Sequence, residues 1–305
     1  MSKSALESDH RLRHVAPFAL VAVVIIAASL LLTRSQRTDT ALSIDAYRGL
    51  ASWVDIYDSG AWRNPDATVK DMASHGVRTV FVQTGNSTSK GAVFKPSAQE
   101  SFIRAAHARG MKVVAWYLPS MENVDGDYSR IARAFRFRTS DGQRFDSLAL
   151  DIESTAVSPE IARNQALSEL SAKIRNLVGE SYPLGGIIPS PVSLAKKAGH
   201  WDTFPYQSVA QTYDVILPMG YYTYDGRGAA VAKAATIDNV RILRAQPGCA
   251  SVPIHLIGGL ADKSTTADVR AFSSAARRSG CIGTSLYSWT GTTDADWKAL
   301  GGVSR

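Results

Sequence analysis

From residue 48 onward one unit repeats: a short run rich in Val, Ile and aromatic residues, a polar loop, then a stretch with apolar residues three and four apart that stops at a glycine. The apolar runs predict strands at 49–57, 78–84, 111–118, 147–153, 184–189, 214–221, 252–258 and 282–289. Helix punctuation fills the gaps. Asn64-Pro65 reads as an N-cap followed by Pro at the first helical position, with Gly76 closing the helix. Ser97 and Glu100 have capping-box spacing, and Gly110 precedes the next strand. Leu167, Leu170, Ile174 and Leu177 form one stripe before Gly179; Val269, Phe272 and Ala276 form another before Gly280. Strands that alternate with helices pair in parallel through right-handed crossovers. Eight such units in residues 48–305 predict a (β/α)8 TIM barrel. An open doubly wound sheet is the alternative, but no glycine-rich loop follows the first strand.

The N-terminus follows a different pattern. Residues 15–33, Val15 to Thr33, are 19 consecutive uncharged and mostly aliphatic residues. As a helix they reach about 28 Å, close to a hydrocarbon core. We read them as a transmembrane signal anchor behind a cytoplasmic arm, 1–14, and ahead of a polar tether, 34–47. A cleaved signal peptide is the alternative, with Thr40-Ala41-Leu42-Ser43 as the small-residue site. Either reading exports the C-terminal domain. Basic residues flank the segment on both sides, so the charge bias that orients it is weak.

Composition is ordinary for a globular domain, at 45% hydrophobic and 20% charged residues. The net charge of +7 includes +3 from residues 1–37 alone, so the remainder is too mild to point to nucleic acid. Cys249 and Cys281 sit before one predicted strand and at the start of the next, where a disulfide or two separate buried thiols would both fit. Two cysteines and six scattered histidines offer no metal cluster, which sets aside a metal-dependent polysaccharide deacetylase.

In such barrels chemistry belongs at the C-terminal ends of the strands. There the sequence places Asp55 to Asp58, Gln83 to Asn86, Trp116 and Tyr117, Asp151 and Glu153, Ser190, Met219 to Asp225, His255, and Tyr287 to Trp289. Carboxylates and aromatics suit sugars: rings stack on pyranose faces, and carboxyls bind hydroxyls and move protons. In strand four, alternation puts Leu148, Leu150 and Ile152 on one face and Ala149, Asp151 and Glu153 on the other. Two adjacent inward carboxyls raise one another's pKa, which suits a general acid. Asp55 shares its face with Trp53 and Tyr57 and serves either as a second acid or as an orienting group. Gln83 and Asn86 suit hydroxyls or backbone groups near the rim, and only one of Trp116 and Tyr117 can line the mouth. His255 reads best as a hydrogen-bonded core residue, and Asp225 as a solvated loop residue.

Asp146-x-x-Ala149-x-Asp151-x-Glu153 resembles the DxxDxDxE motif of glycoside hydrolase family 18, the chitinase-like barrels, with Ala149 in place of the middle aspartate. The resemblance implies Glu153 as the acid/base and Asp151 as its assistant. Met219-Gly220-Tyr221-Tyr222 resembles that family's Met-x-Tyr-Asp, with Tyr222 at the aspartate position, and Trp289 resembles its subsite-floor tryptophan. Family 25 lysozyme-like barrels, with an Asp-x-Glu and an acid on the first strand, are similar more loosely through Asp151, Glu153 and Asp55. The whole chain also resembles membrane-anchored, glycoside-hydrolase-like bacterial barrels.

The sequence therefore leads us to expect an exported, anchored, monomeric barrel that binds a polysaccharide and hydrolyses it without a metal or organic cofactor. Glu153 and Asp151 are its expected catalytic pair. Asp55, Tyr57, Gln83, Trp116, Met219, Tyr221, Tyr222, Tyr287 and Trp289 are its expected sugar contacts. A non-catalytic glycan-binding barrel is the second expectation, to which Ala149 and Tyr222 conform.

Overall fold

The computed structural model describes residues 44–91 and 93–301. Eight parallel strands close into a barrel in chain order: β1 Gly49–Val54, β2 Thr79–Asn86, β3 Lys112–Leu118, β4 Ser147–Asp151, β5 Leu184–Pro189, β6 Val215–Met219, β7 His255–Leu260 and β8 Gly283–Tyr287. The register Gly49 to Gly283 joins the last strand to the first. Around them run α1 Ser59–Arg63, α2 Pro65–Ser74, α3 Pro96–His107, α4 Val124–Arg136, α5 Glu160–Val178, α6 Pro191–Lys196, α7 Tyr206–Thr212, α8 Ala229–Arg244, α9 Thr266–Arg278 and α10 Asp294–Leu300. Among the described residues no helix is long and apolar enough to cross a membrane. The expected arm 1–14, the expected span 15–33 and most of the expected tether lie outside the described residues.

The eight expected strands are all present, and their apolar alternation sorts two layers. Leu148, Leu150 and Ile152 pack against the helices, while Ala149 joins Trp53, Phe81, Val114, Ile187 and Leu217 inside the barrel. On α5, Leu167, Leu170 and Ile174 are buried, as are Val269, Phe272 and Ala276 on α9. The expected capping box at Ser97 and Glu100 is not formed. Pro96 opens α3 there, and Glu100 instead accepts from Ser140 and pairs with Arg104. Capping boxes occur at Thr265 with Asp268 and at Thr293 with Asp296.

The strands expected at 49–57, 147–153, 214–221 and 282–289 end early, at Val54, Asp151, Met219 and Tyr287. In β1 the cause is local. Asp55 Oδ1 accepts the backbone N–H of Tyr57 at 2.7 Å and of Asp58 at 3.1 Å, which turns the chain away from the ladder.

At the opposite end the barrel's packing begins inside the stretch expected as tether: Ile44, Ala46 and Tyr47 are buried beneath it. The Tyr47 hydroxyl meets Ser147 Oγ at 2.6 Å and Leu148 O at 2.8 Å. Glycines make room for this plug. A Cβ at Gly185 would stand 2.7 Å from the Tyr47 ring, and one at Gly283 would stand 2.3 Å from both Tyr47 O and His255 Nδ1. His255 itself is fully buried, with Nδ1 2.8 Å from Tyr47 O and Nε2 3.1 Å from Ser285 Oγ. Since Tyr47 O only accepts, Nδ1 carries the proton and Nε2 accepts from Ser285. Burial lowers the His255 pKa to about 4 and keeps the ring neutral.

Cys249 and Cys281 remain separate thiols rather than the disulfide weighed from sequence. Cys249 Sγ turns toward Pro247 O at 3.6 Å and Tyr206 O at 3.9 Å. Burial pushes the two thiols up to about 11 and about 12.

Two outcomes are expected. Gly283→Ala drives a methyl into the histidine and the Tyr47 backbone and should cost about 3 kcal/mol or more of unfolding free energy, measured by urea titration. The unfolded imidazole takes a proton near pH 6.5 and the folded one only near 4, so His255 favours folding above about 6.5 and loses that contribution as pH falls. By about pH 5 the loss should reach about 2 kcal/mol, and it should shrink in His255→Gln.

Candidate active site at the barrel mouth

Strand parity assembles the mouth. Above an interior plugged by Trp53, Phe81, Val114 and Leu217, the inward positions are Trp116 on β3, Asp151 on β4, Met219 on β6 and Tyr287 on β8, with Asp55 and Glu153 just beyond β1 and β4. Trp53 stacks on Phe81 with ring centroids 4.1 Å apart, takes Trp116 edge-on at 5.8 Å and stands 6.4 Å from Tyr287. Tyr221 continues this aromatic floor 6.2 Å from Tyr287. Of the Trp116–Tyr117 pair, Trp116 faces inward. Tyr117 joins the helix layer and donates to Asp127 at 2.6 Å.

Asp151 and Glu153 stand together over this floor, and Tyr287 is near both Asp55 and Asp151. Asp151 is 7% exposed, and its Oδ1 has no hydrogen-bond partner. Burial, and then the charge of Glu153, raise its pKa well above the usual carboxylate range. Glu153 is reached by solvent at the lip, yet enough protein surrounds its carboxyl to raise that pKa as well. The two carboxyls titrate as a pair. Asp55 is partly buried across the floor, with Tyr287 Oη donating to its Oδ2 at 2.7 Å. Burial and that bond to Asp55 raise the Tyr287 pKa, so its hydroxyl stays a donor. Tyr221 lies near Asp151 and Glu153, its pKa raised by burial and then by the charges of those two acids. Among the described residues, no ion pair includes Asp55, Asp151 or Glu153.

Several expected contacts lie elsewhere. Tyr57 falls beyond the end of β1 and is 80% exposed on the turn. Gln83 points to the mouth but is used on backbone: Oε1 accepts from Ile56 N at 2.9 Å and Nε2 reaches Gly85 O at 3.4 Å. Asn86 closes its own turn through Thr88 and Ser89. Tyr222, at the position of the family-18 aspartate, turns into the helix layer, where its hydroxyl meets Ser264 at 2.9 Å and its ring packs on Phe272. Trp289, the expected floor tryptophan, sits past β8 and donates to Asp71 on α2 at 3.0 Å; Tyr287 occupies the floor instead. Asp146 precedes β4 at the far end of the barrel, bonded to His107 at 2.9 Å, Lys112 at 3.0 Å and Val113 N at 2.8 Å. Of the motif's acids, then, only Asp151 and Glu153 reach the mouth.

The site also contains residues to which the sequence reading gave no role. Asp58, after β1, accepts from Thr290 and from Asp55 N, and burial raises its pKa. Only its closeness to Asp55 in the sequence marks it. Trp53 Nε1 donates to Ser285 at 2.8 Å, a pairing between residues 232 apart.

Other concavities lie away from these acids. A cleft of about 510 Å³ opens beside Arg138, Arg144 and the paired Asp146, and one of about 480 Å³ beside α7. Among the described residues, no group of three His, Cys, Asp or Glu side chains is arranged to hold a metal ion.

No protein-family model matches this chain, and no curated protein matches it. Its fold is nonetheless shared with solved glycosidases. A chitinase from Chromobacterium violaceum superposes with a TM-score of 0.61 at 14% identity, over 85% of this chain and 99% of that one. An endo-1,4-β-mannanase from Rhizomucor miehei superposes at 0.64 and 10% identity, over 84% and 94%. An endo-β-1,4-mannanase from Thermotoga petrophila superposes at 0.63 and 11% identity, over 80% and 68%. At such identities the likeness carries the fold: the chain is built as the TIM-barrel glycoside hydrolases are.

Proposed function

We propose that the protein is a glycoside hydrolase acting on a cell-envelope or environmental polysaccharide, with Glu153 as general acid/base. The observation that carries this reading is the Asp151–Glu153 pair. The two carboxyls have raised pKa values and no cationic partner, and they stand over an aromatic floor at the end of the barrel where parallel-barrel chemistry is built.

Glu153, at the open lip, donates its proton to the glycosidic oxygen as the bond to the anomeric carbon breaks. Water adds to that carbon and its released proton returns to a carboxylate, so one bond is hydrolysed and the acid is regenerated. Burial holds Glu153 in its proton-bearing range, with Asp151 beside it as its assistant. Asp55, with Tyr287 donating to it, supplies the second carboxylate across the floor. Trp116, Tyr221 and Tyr287 offer faces on which a sugar ring stacks. We further propose that residues 15–33 anchor the chain in the cell membrane and leave the barrel outside, a reading that rests on their length and hydropathy.

A non-catalytic glycan-binding barrel is the second reading, favoured by Ala149 and by Tyr222 turning away from the mouth. Release of reducing ends from a polysaccharide panel separates the two. Glu153→Gln should lower turnover by about 10²–10⁴-fold while retaining glycan. A wild-type protein that retains glycan and cuts nothing in the panel establishes the binding module instead.

Activity should also follow the proton on Glu153. Its pKa lies above the ordinary glutamate value, so kcat/KM should fall as pH rises through that elevated pKa, on an alkaline limb above about pH 4.3. A pH–rate profile whose alkaline limb sits at or below the ordinary value removes Glu153 as the acid.

A further inference from the structure

We infer that the mouth selects a glycan bearing a protonated amine, such as a 2-amino-2-deoxy sugar whose nitrogen is not acylated. This inference deepens the hydrolase reading and rests on it. Its first ground is the charge inventory of the mouth. Asp55 is held by three neutral donors, Tyr57 N, Asp58 N and Tyr287 Oη, which orient its charge without cancelling it. No arginine or lysine among the described residues pairs with Asp55, Asp151 or Glu153.

The second ground is independent of the first. Asp151 is more than nine-tenths buried, it points inward by strand parity, and its Oδ1 has no partner. A buried acceptor left unpaired costs about 1–3 kcal/mol, so Asp151 Oδ1 favours a group that brings a donor into the mouth. Trp116 Nε1, a buried donor in the same mouth, is likewise unpaired.

Two partly buried acids elsewhere have cationic partners. Asp146 has His107 and Lys112; Asp214 has Arg175 at 2.9 Å. The chain as a whole carries +7, so a bare acidic mouth does not follow from composition.

An alkylammonium group fits both grounds. Its three N–H donors can satisfy Asp151 Oδ1, its charge balances Asp55 and the ionised member of the Asp151–Glu153 pair, and the faces of Tyr221 and Trp116 are favourable to a cation. A sugar hydroxyl or an acylated amine supplies a donor without the charge. A uronic acid or sulfated sugar is repelled.

The test uses the full-length chain and three oligosaccharides of one length: β-1,4-linked glucosamine, the same oligomer N-acetylated, and a neutral β-1,4-linked mannose oligomer. Binding is read by calorimetry and cleavage by reducing ends. We expect the free-amine oligomer to be favoured at least about tenfold in Kd or kcat/KM at low salt, with the preference shrinking several-fold between about 0.05 M and about 0.5 M salt. Asp151→Asn should lower the ratio of amine to acetylated affinity. The wild-type ratio decides the question even if that variant does not fold. An acetylated or neutral oligomer bound or cut as well as the amine overturns this inference and leaves the hydrolase reading standing. If no oligomer is bound or cut while a larger polysaccharide is, amine selection fails; if no glycan of any kind is bound or cut, both readings fail.

Discussion

The indole N–H of Trp53 is buried inside a closed barrel, where water cannot serve it, and its acceptor is the hydroxyl of Ser285. That hydroxyl in turn donates to His255, and His255 donates to the Tyr47 carbonyl. One directed chain of hydrogen bonds thus ties β1, β8, β7 and the segment beneath the barrel together. Its direction requires a neutral histidine, which the burial of His255 secures. Trp53, held in plane by this chain, is the ring on which Phe81, Trp116 and Tyr287 pack, so the floor of the mouth inherits its order from the barrel's interior.

The strands and the inward carboxyl of Asp151 are legible because they follow period two, whereas Glu153 lies past the end of β4. Parity alone put Asp151 inside and Leu150 outside, and the interior layering agrees with both. Parity holds only while the ladder lasts. Tyr57, Tyr222 and Trp289 each lie past the last paired residue of a strand, where a turn resets the direction of the side chain. Nothing in the local pattern marks that point, since Tyr and Trp are good strand formers on either side of it. Gln83 was lost for another reason: it faces the mouth but is consumed by the N–H of Ile56, a loop donor whose position depends on the turn after β1. Asp146 matched a motif by spacing while lying before its strand, where His107 and Lys112 claim it.

The disulfide weighed from sequence shows the same limit on a second scale. Neighbouring strands bring Cys249 and Cys281 into one region, and both feel the charge of Arg244. Connection in sequence does not fix the direction of a side chain, and Cys249 faces the backbone around α7. Burial raises both thiols far above neutrality, which leaves them small apolar residues in practice.

The plug beneath the barrel has a mechanical meaning. Tension applied to the chain ahead of Ile44 would be borne first by the bonds of Tyr47 to Ser147 and Leu148, at the foot of β4. The acids stand at the head of that strand, about 15 Å away along its length. A barrel held in this way can be tugged from below without loading the carboxyls above.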